Sequence, residues 1–112
     1  YLADEDLGGS SRCVFAPFYG VQKATVPVLG RLAKTTHAKV FACISYYDSD
    51  RLRYVVKVLP CIESLDGEDE LTDTQAMNTA IEQAVDHCPA QYLWTLRLFQ
   101  TRPNNKPSVY KS

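Results

Sequence analysis

The 112-residue sequence predicts an α/β fragment, the C-terminal part of a mixed sheet with helices packed on it, of about four strands and three helices. Three observations carry this. Residues 38–47 are an apolar run with both faces apolar, and residues 52–58 alternate with a period of two. Met77, Ala80, Ile81, Ala84 and Val85 recur at helical spacing. Strands and helices that interleave along a chain imply helices layered on a sheet.

Residues 1–3 read as the end of a strand. Asp4-Glu5-Asp6-Leu7-Gly8-Gly9-Ser10-Ser11 is then a loop, because paired glycines and short polar side chains favour turns. Residues 13–18 form a short apolar strand, which Gly20 ends. The first helix is expected to start near Thr25, whose hydroxyl can cap free N–H groups, with Pro27 tolerated in the first turn. Val26, Leu29, Leu32 and Ala33 make its buried stripe. Lys34 and His37 lie near its C-terminus, where positive charge suits the dipole.

In residues 38–47, Val40, Ala42 and Ile44 point one way and Phe41 and Cys43 the other. A strand apolar on both faces reads as central and covered on both sides. Asp48-Ser49-Asp50 turns the chain. Leu52, Tyr54, Val56 and Val58 alternate with Arg53 and Lys57, giving a half-buried strand, and the short link makes the two an antiparallel hairpin. Residues 65–73 form an acidic loop. Thr72-Asp73-Thr74-Gln75 fits a capping box, with Thr72 as N-cap and Gln75 at N3. Cys88-Pro89 breaks the helix that follows. Pro89 can start a third, with Tyr92, Leu96 and Phe99 along one side. The expected order is strand, strand, helix, strand, strand, helix, helix. Residues 1–103 are assigned to the C-terminal half of one domain, and 104–112 to a polar tail, mobile at its end.

Apolar residues make up 46% and charged residues 22%, a globular balance. A net charge of -1, with aromatics not interleaved in a basic patch, argues against a nucleic-acid partner. No apolar run reaches the ~20 residues that span a bilayer. The four cysteines, Cys13, Cys43, Cys61 and Cys88, contain no Cys-x-x-Cys, which disfavours zinc and suits reduced thiols in a cytosolic compartment. No metal or cofactor is expected. Ser10 and Ser11 lack a Gly-x-Ser-x-Gly context, so a serine hydrolase is not indicated.

The most distinctive stretch is Pro89-Ala90-Gln91-Tyr92-Leu93-Trp94-Thr95-Leu96-Arg97-Leu98-Phe99-Gln100-Thr101-Arg102-Pro103, a Gln-Tyr-x-Trp core followed by Arg and then Thr-Arg. It resembles the closing helix of the lipid A secondary acyltransferases, the lauroyl and myristoyl transferases of Gram-negative bacteria. Further stretches match in order. Residues 1–8 are similar to the family's Leu-Pro-Asp-Gln-Asp segment with its following Gly. Residues 14–20 look like its apolar Val-Phe-x-x-Phe-Phe strand. Lys23-Ala24-Thr25 with Arg31-Leu32-Ala33 resembles its Ala-Thr helix start and Arg-Leu turn, and Met77-Asn78 its Met-Asn. Ala3 departs from a frequent Pro, and Glu5 from a frequent Gln, which sets three acids side by side.

The resemblance implies transfer of an acyl chain from acyl carrier protein to a hydroxyl on an acyl chain of a lipid A precursor, at the cytoplasmic face of the inner membrane. The family's general base is the His of a His-x-x-x-x-Asp/Glu pair, in which the carboxylate orients the imidazole. Five positions after His37 lies Ala42, and five after His87 lies Tyr92, so neither is that base. The chain has no initiator Met. It is therefore expected to be a C-terminal half whose missing N-terminal half carries the dyad and a membrane helix, and to be inactive alone. The rival reading is a catalytically dead interaction module of acyltransferase descent.

Six residues are candidates for substrate binding. Asp4 and Asp6 stand at a presumed strand end, where ligands collect in open α/β sheets. They either position the acceptor glucosamine or an Arg of the missing half, or cap a solvated turn. Lys23 and Thr25, expected at a helix N-terminus, either meet a substrate phosphate or phosphopantetheine, or form a plain cap with a surface Lys. Arg97 and Arg102 either meet an anionic head group or pair with the acidic loops while the neighbouring aromatics fill the core. His37, His87 and the run Glu68-Asp69-Glu70 read as solvated surface.

Overall fold

Tyr19 (φ 46°) and Gly20 (φ 77°) both adopt left-handed backbone, which reverses the chain in two residues with a twist that suits paired strands. The result is a hairpin of β1 (Val14–Phe18) and β2 (Val21–Thr25), in which Phe18 faces Val21, Ala16 faces Lys23 and Val14 faces Thr25. The computed structural model describes residues 1–3, 6, 8 and 12–110. Its elements continue with α1 (Val28–Thr36), β3 (Phe41–Asp48), β4 (Arg53–Cys61) and α2 (Glu70–Val85), then single 3-10 turns at Pro89–Gln91 and Pro103–Asn105.

The α/β class and the four strands stand, but the arrangement differs from the expected one. Among the described residues there are two separate antiparallel pairs, β1–β2 and β3–β4, rather than one mixed sheet. Residues 1–3 are not a strand, and residues 21–25, expected to lead into a helix, are one. Thr25 therefore closes β2 and does not cap α1. That helix opens at Val28 behind Pro27, which makes no side-chain cap. Its buried contacts are Gly30 and Ala33, whereas Leu32 remains 48% exposed.

The β3–β4 hairpin keeps the expected pairing, with Tyr47 opposite Tyr54 and Cys43 opposite Val58. A bulge sets Leu59 and Pro60 against Ala42, where Pro60 has no N–H to offer. β3 is not covered on both sides. Its burial alternates between exposed and half-buried, and Tyr54, Val56 and Val58 of β4 are exposed rather than half-buried. The reason is that α2 packs on one face and no described element lies on the other.

α2 begins three residues before the expected start, because Asp69 is a better cap than Thr72. Its carboxylate accepts the Thr72 O–H (2.7 Å) and N–H (2.8 Å), which hold the carboxyl below its usual range. The acidic run is not merely solvated. Glu70 pairs with Arg12 and Arg31, and Glu68 with Lys34, each at 2.9 Å. Exposed pairs of this kind are screened by solvent and add little to stability. The helical stripe on α2 is as read: Met77, Ala80, Ala84 and Val85 are buried. Met77 packs with Ala33 and Leu65 in a core that Leu29, Val40, Ile62 and Ile81 border.

The third helix is absent. After the Pro89–Gln91 turn, the chain runs through short local turns, with Trp94 N–H bonded to Tyr92 O and Leu96 N–H to Leu93 O. Side chains hold this path. The Trp94 indole donates to Pro89 O at 2.7 Å, and the Phe99 N–H donates to the Tyr110 hydroxyl at 3.1 Å.

Candidate functional site

The β1–β2 register turns Lys23 and Thr25 inward, where they are only 1% and 3% exposed. An ammonium so enclosed needs hydrogen-bond partners. Nζ donates to Ala3 O at 3.3 Å and to Thr25 Oγ1 at 3.4 Å. Lys23 is thus neither a surface residue nor at a helix N-terminus. It anchors the backbone at Ala3, just ahead of Asp4 in sequence.

A short way beyond Ala3, Asp6 is tied to the C-terminal stretch of the chain. Its carboxylate accepts the Thr101 N–H (2.7 Å), the Thr101 O–H (2.9 Å) and the Gly8 N–H (2.9 Å). Gly8 has φ 80°, the left-handed backbone that glycine adopts without strain. Next to Thr101, Arg102 reaches Gln22 O of β2 at a long 3.5 Å. Four of the six candidates, Asp6, Lys23, Thr25 and Arg102, therefore share one corner through neighbouring residues: Lys23 bonds Ala3 and Thr25, Asp6 bonds Gly8 and Thr101, and Arg102, next to Thr101, reaches Gln22, next to Lys23. Asp4 lies outside the described residues, as do Glu5, Ser10 and Ser11. Arg97 is exposed, and its guanidinium makes no hydrogen bond to a described residue.

Several residues of this region were not singled out as site residues from sequence. Thr101 is the partner of Asp6, and Gln22 of Arg102; backbone acceptors and distant hydroxyls leave no periodic trace. Asn78, read only as part of Met77-Asn78, is fully buried. Its Nδ2 donates to Pro17 O (3.1 Å) and Ala16 O (3.5 Å), tying α2 to β1, while Oδ1 has no partner among the described residues. Gln91 bonds the Tyr47 backbone twice, Oε1 from N–H and Nε2 to O, each 2.8 Å. Trp94 packs against Tyr19 and edge-on against Tyr92. The closing signature is thus a docking device for the chain end. Its Arg residues do not form ion pairs with described acids.

Beside Ala3 lies an open apolar cleft of about 590 Å³, with Leu29, Ile44, Met77, Ile81 and Val85 among its walls. His37 is the left-handed residue that ends α1, and His87 sets Nδ1 2.8 Å from Gln83 O, so that nitrogen carries the proton. Both are exposed. Among the described residues, no group of three or more His, Cys, Asp or Glu could hold a metal ion. No described helix is long and apolar enough to cross a membrane.

The model of the bacterial lipid A biosynthesis acyltransferase family matches residues 1–101. The chain belongs to this family. The match to the lipid A acyltransferases extends to individual proteins. The chain is 35% identical over 111 residues to the lipid A biosynthesis myristoyltransferase of Escherichia coli, covering 99% of this chain and 34% of that protein. It is 35% identical over 106 residues to a lipid A biosynthesis acyltransferase of Haemophilus influenzae, covering 95% of this chain and 32% of that protein. It is 34% identical over 113 residues to the Escherichia coli lipid A biosynthesis lauroyltransferase, covering 98% and 36%. The chain thus spans about a third of the length of these lipid A acyltransferases.

Proposed function

We propose that this chain is the C-terminal part of an enzyme that moves a fatty acyl chain from acyl carrier protein to a hydroxyacyl chain of a lipid A precursor. The observation that carries this reading is the family match over residues 1–101. The corner of Asp6, Lys23, Thr25 and Arg102 supports a role in holding substrate, and Asp4, in the same loop, belongs to that role. Lys23 acts from behind, by holding the loop's entry through Ala3 O. Arg102, half-buried at the rim, and exposed Arg97 are the groups that can meet an anionic head group.

Neither His37 nor His87 is followed at the fifth position by a carboxylate. The general base then comes from outside these 112 residues, and the chain alone does not catalyse transfer. The working enzyme sits at the cytoplasmic face of the inner membrane, which it reaches through the parent polypeptide. Residues 1–103 serve as part of its acyltransferase domain, and 104–112 as a tail.

The test compares two proteins in an acyl carrier protein-dependent assay on a lipid A precursor. One is the 112-residue chain. The other is the Escherichia coli myristoyltransferase with its matching third replaced by this chain. Transfer by the replacement protein and none by the short chain is expected. Transfer by the short chain, or a folded replacement protein with no activity, would overturn the reading.

A further inference from the structure

The two edges of the β3–β4 sheet are built differently. β4 carries Arg53, Lys57 and Pro60, the residues that blunt a sheet edge against further pairing. From Phe41 to Tyr47, β3 has no charge and no proline. Its free edge can be assigned from one contact. The N–H and C=O of a strand residue point to the same side, and those of Tyr47 are bonded to Gln91, not to β4. By the same alternation, Ser45 and Cys43 direct their N–H and C=O away from β4. β4 is the only strand paired with β3 among the described residues.

The surroundings of this edge are apolar as well. Phe41, Tyr54, Val56 and Val58 are 48%, 78%, 71% and 61% exposed on one face of the hairpin. The cleft of about 590 Å³ opens on the other, and Tyr1 and Leu2 line it. An apolar strand without a second neighbour and without protection is a joint rather than a boundary.

We propose that the free edge of β3 and the cleft beside it receive an added apolar β-strand from the part of the family-length polypeptide that this chain does not span. This rests on the acyltransferase reading only for the source of that strand. A second copy of the chain fits less well. Pairing about a two-fold axis at Ile44 would bring its Phe41 opposite Tyr47, where Gln91 already occupies the edge. The chain spans only about a third of its relatives' length, by contrast, which leaves ample polypeptide for such a strand, and Tyr1 and Leu2 already line the cleft.

The test co-expresses the 112-residue chain with the unmatched part of the Escherichia coli myristoyltransferase. A one-to-one complex is expected, with amide exchange at Cys43 and Ser45 slowed at least about tenfold relative to the chain alone. Ser45→Pro removes an N–H that points away from β4. It should therefore keep the hairpin and weaken the complex roughly tenfold or more, while Ser45→Ala does not. Absence of a complex, a complex with unprotected Cys43 and Ser45 amides, or self-association that protects them would each overturn the proposal. If Ser45→Pro unfolds the chain, the exchange measurement on the unsubstituted chain decides alone. No readout here involves acyl transfer. The strand can fail to dock with the acyltransferase reading intact, and a docked but inactive complex counts against that reading only.

Discussion

Asp6 and Thr101 stand 95 positions apart and are joined twice, the carboxylate accepting both the backbone N–H and the side-chain O–H of the threonine. This ties Asp6 to the end of the Gln-Tyr-x-Trp signature, so two motifs that look independent in sequence are joined in the fold. Asp6→Ala removes these bonds and the one from Gly8. A loss of about 1.5–3 kcal/mol in chemical denaturation is expected, the range for hydrogen bonds to a charged acceptor. Protease cleavage near residue 101 should rise in parallel. An unchanged midpoint would show that Asp6 and the chain end are not coupled.

Gly30 and Asp73 set how closely α1 and α2 approach. A Cβ at Gly30 would run into the Asp73 carboxylate, which is 6% exposed and also accepts the Asp66 N–H at 3.2 Å. Gly30→Ala is expected to cost about 1–3 kcal/mol, as overpacking does. The double variant with Asp73→Ala should recover part of that loss, because the clash has one owner. Strict additivity in a thermal-melt cycle would contradict this geometry.

Gln91 acts as a substitute strand for Tyr47. Removing its amide by Gln91→Ala should cost about 1 kcal/mol, since both bonds are solvent-exposed. The sharper readout is hydrogen exchange. The Tyr47 amide should lose its protection, while the amides that pair β3 with β4 keep theirs. Retained protection at Tyr47 would place another acceptor there.

Tyr19 links the β1–β2 turn to α2. Its N–H donates to Glu82 Oε1 at 2.6 Å and its O–H to Asp86 Oδ1 at 2.7 Å. Partial desolvation of the hydroxyl, the bond to Asp86 and the nearby carboxylates of Asp86 and Glu82 push the phenol up to about 12 from an ordinary 10.0. The folded state thus holds this proton more tightly than the unfolded chain. Its contribution is fully present below pH 10 and fades as the pH rises through about 12. Alkaline denaturation of the parent chain and of Tyr19→Phe should therefore converge over that window. A constant gap between the two curves would rule out the phenol as the titrating group.

α2 was legible because its apolar residues repeat at helical spacing and one face of the helix meets the core. The β3–β4 hairpin was legible because alternation and a short turn are local signals. β2 was not, since Gln22, Lys23 and Thr25 look like solvent-facing residues before a helix. Only the turn at Tyr19-Gly20 and the enclosure of Lys23 make them a strand. The third helix failed for a related reason: Tyr92, Leu96 and Phe99 have helical spacing, but the Trp94 indole and the Gln91 amide commit that stretch to turns. Of the site, the residue types were visible and their meeting was not.

By itself, the sequence determined the α/β class, the helix of Met77 to Val85, the hairpin and the acyltransferase family, because each is written in short-range pattern or ordered motif. Tertiary structure alone decided that Asp6 faces Thr101, that Lys23 is enclosed beneath Ala3, and that β3 keeps an open edge. Those outcomes depend on which distant groups satisfy buried charges and backbone donors, a balance that no local pattern encodes.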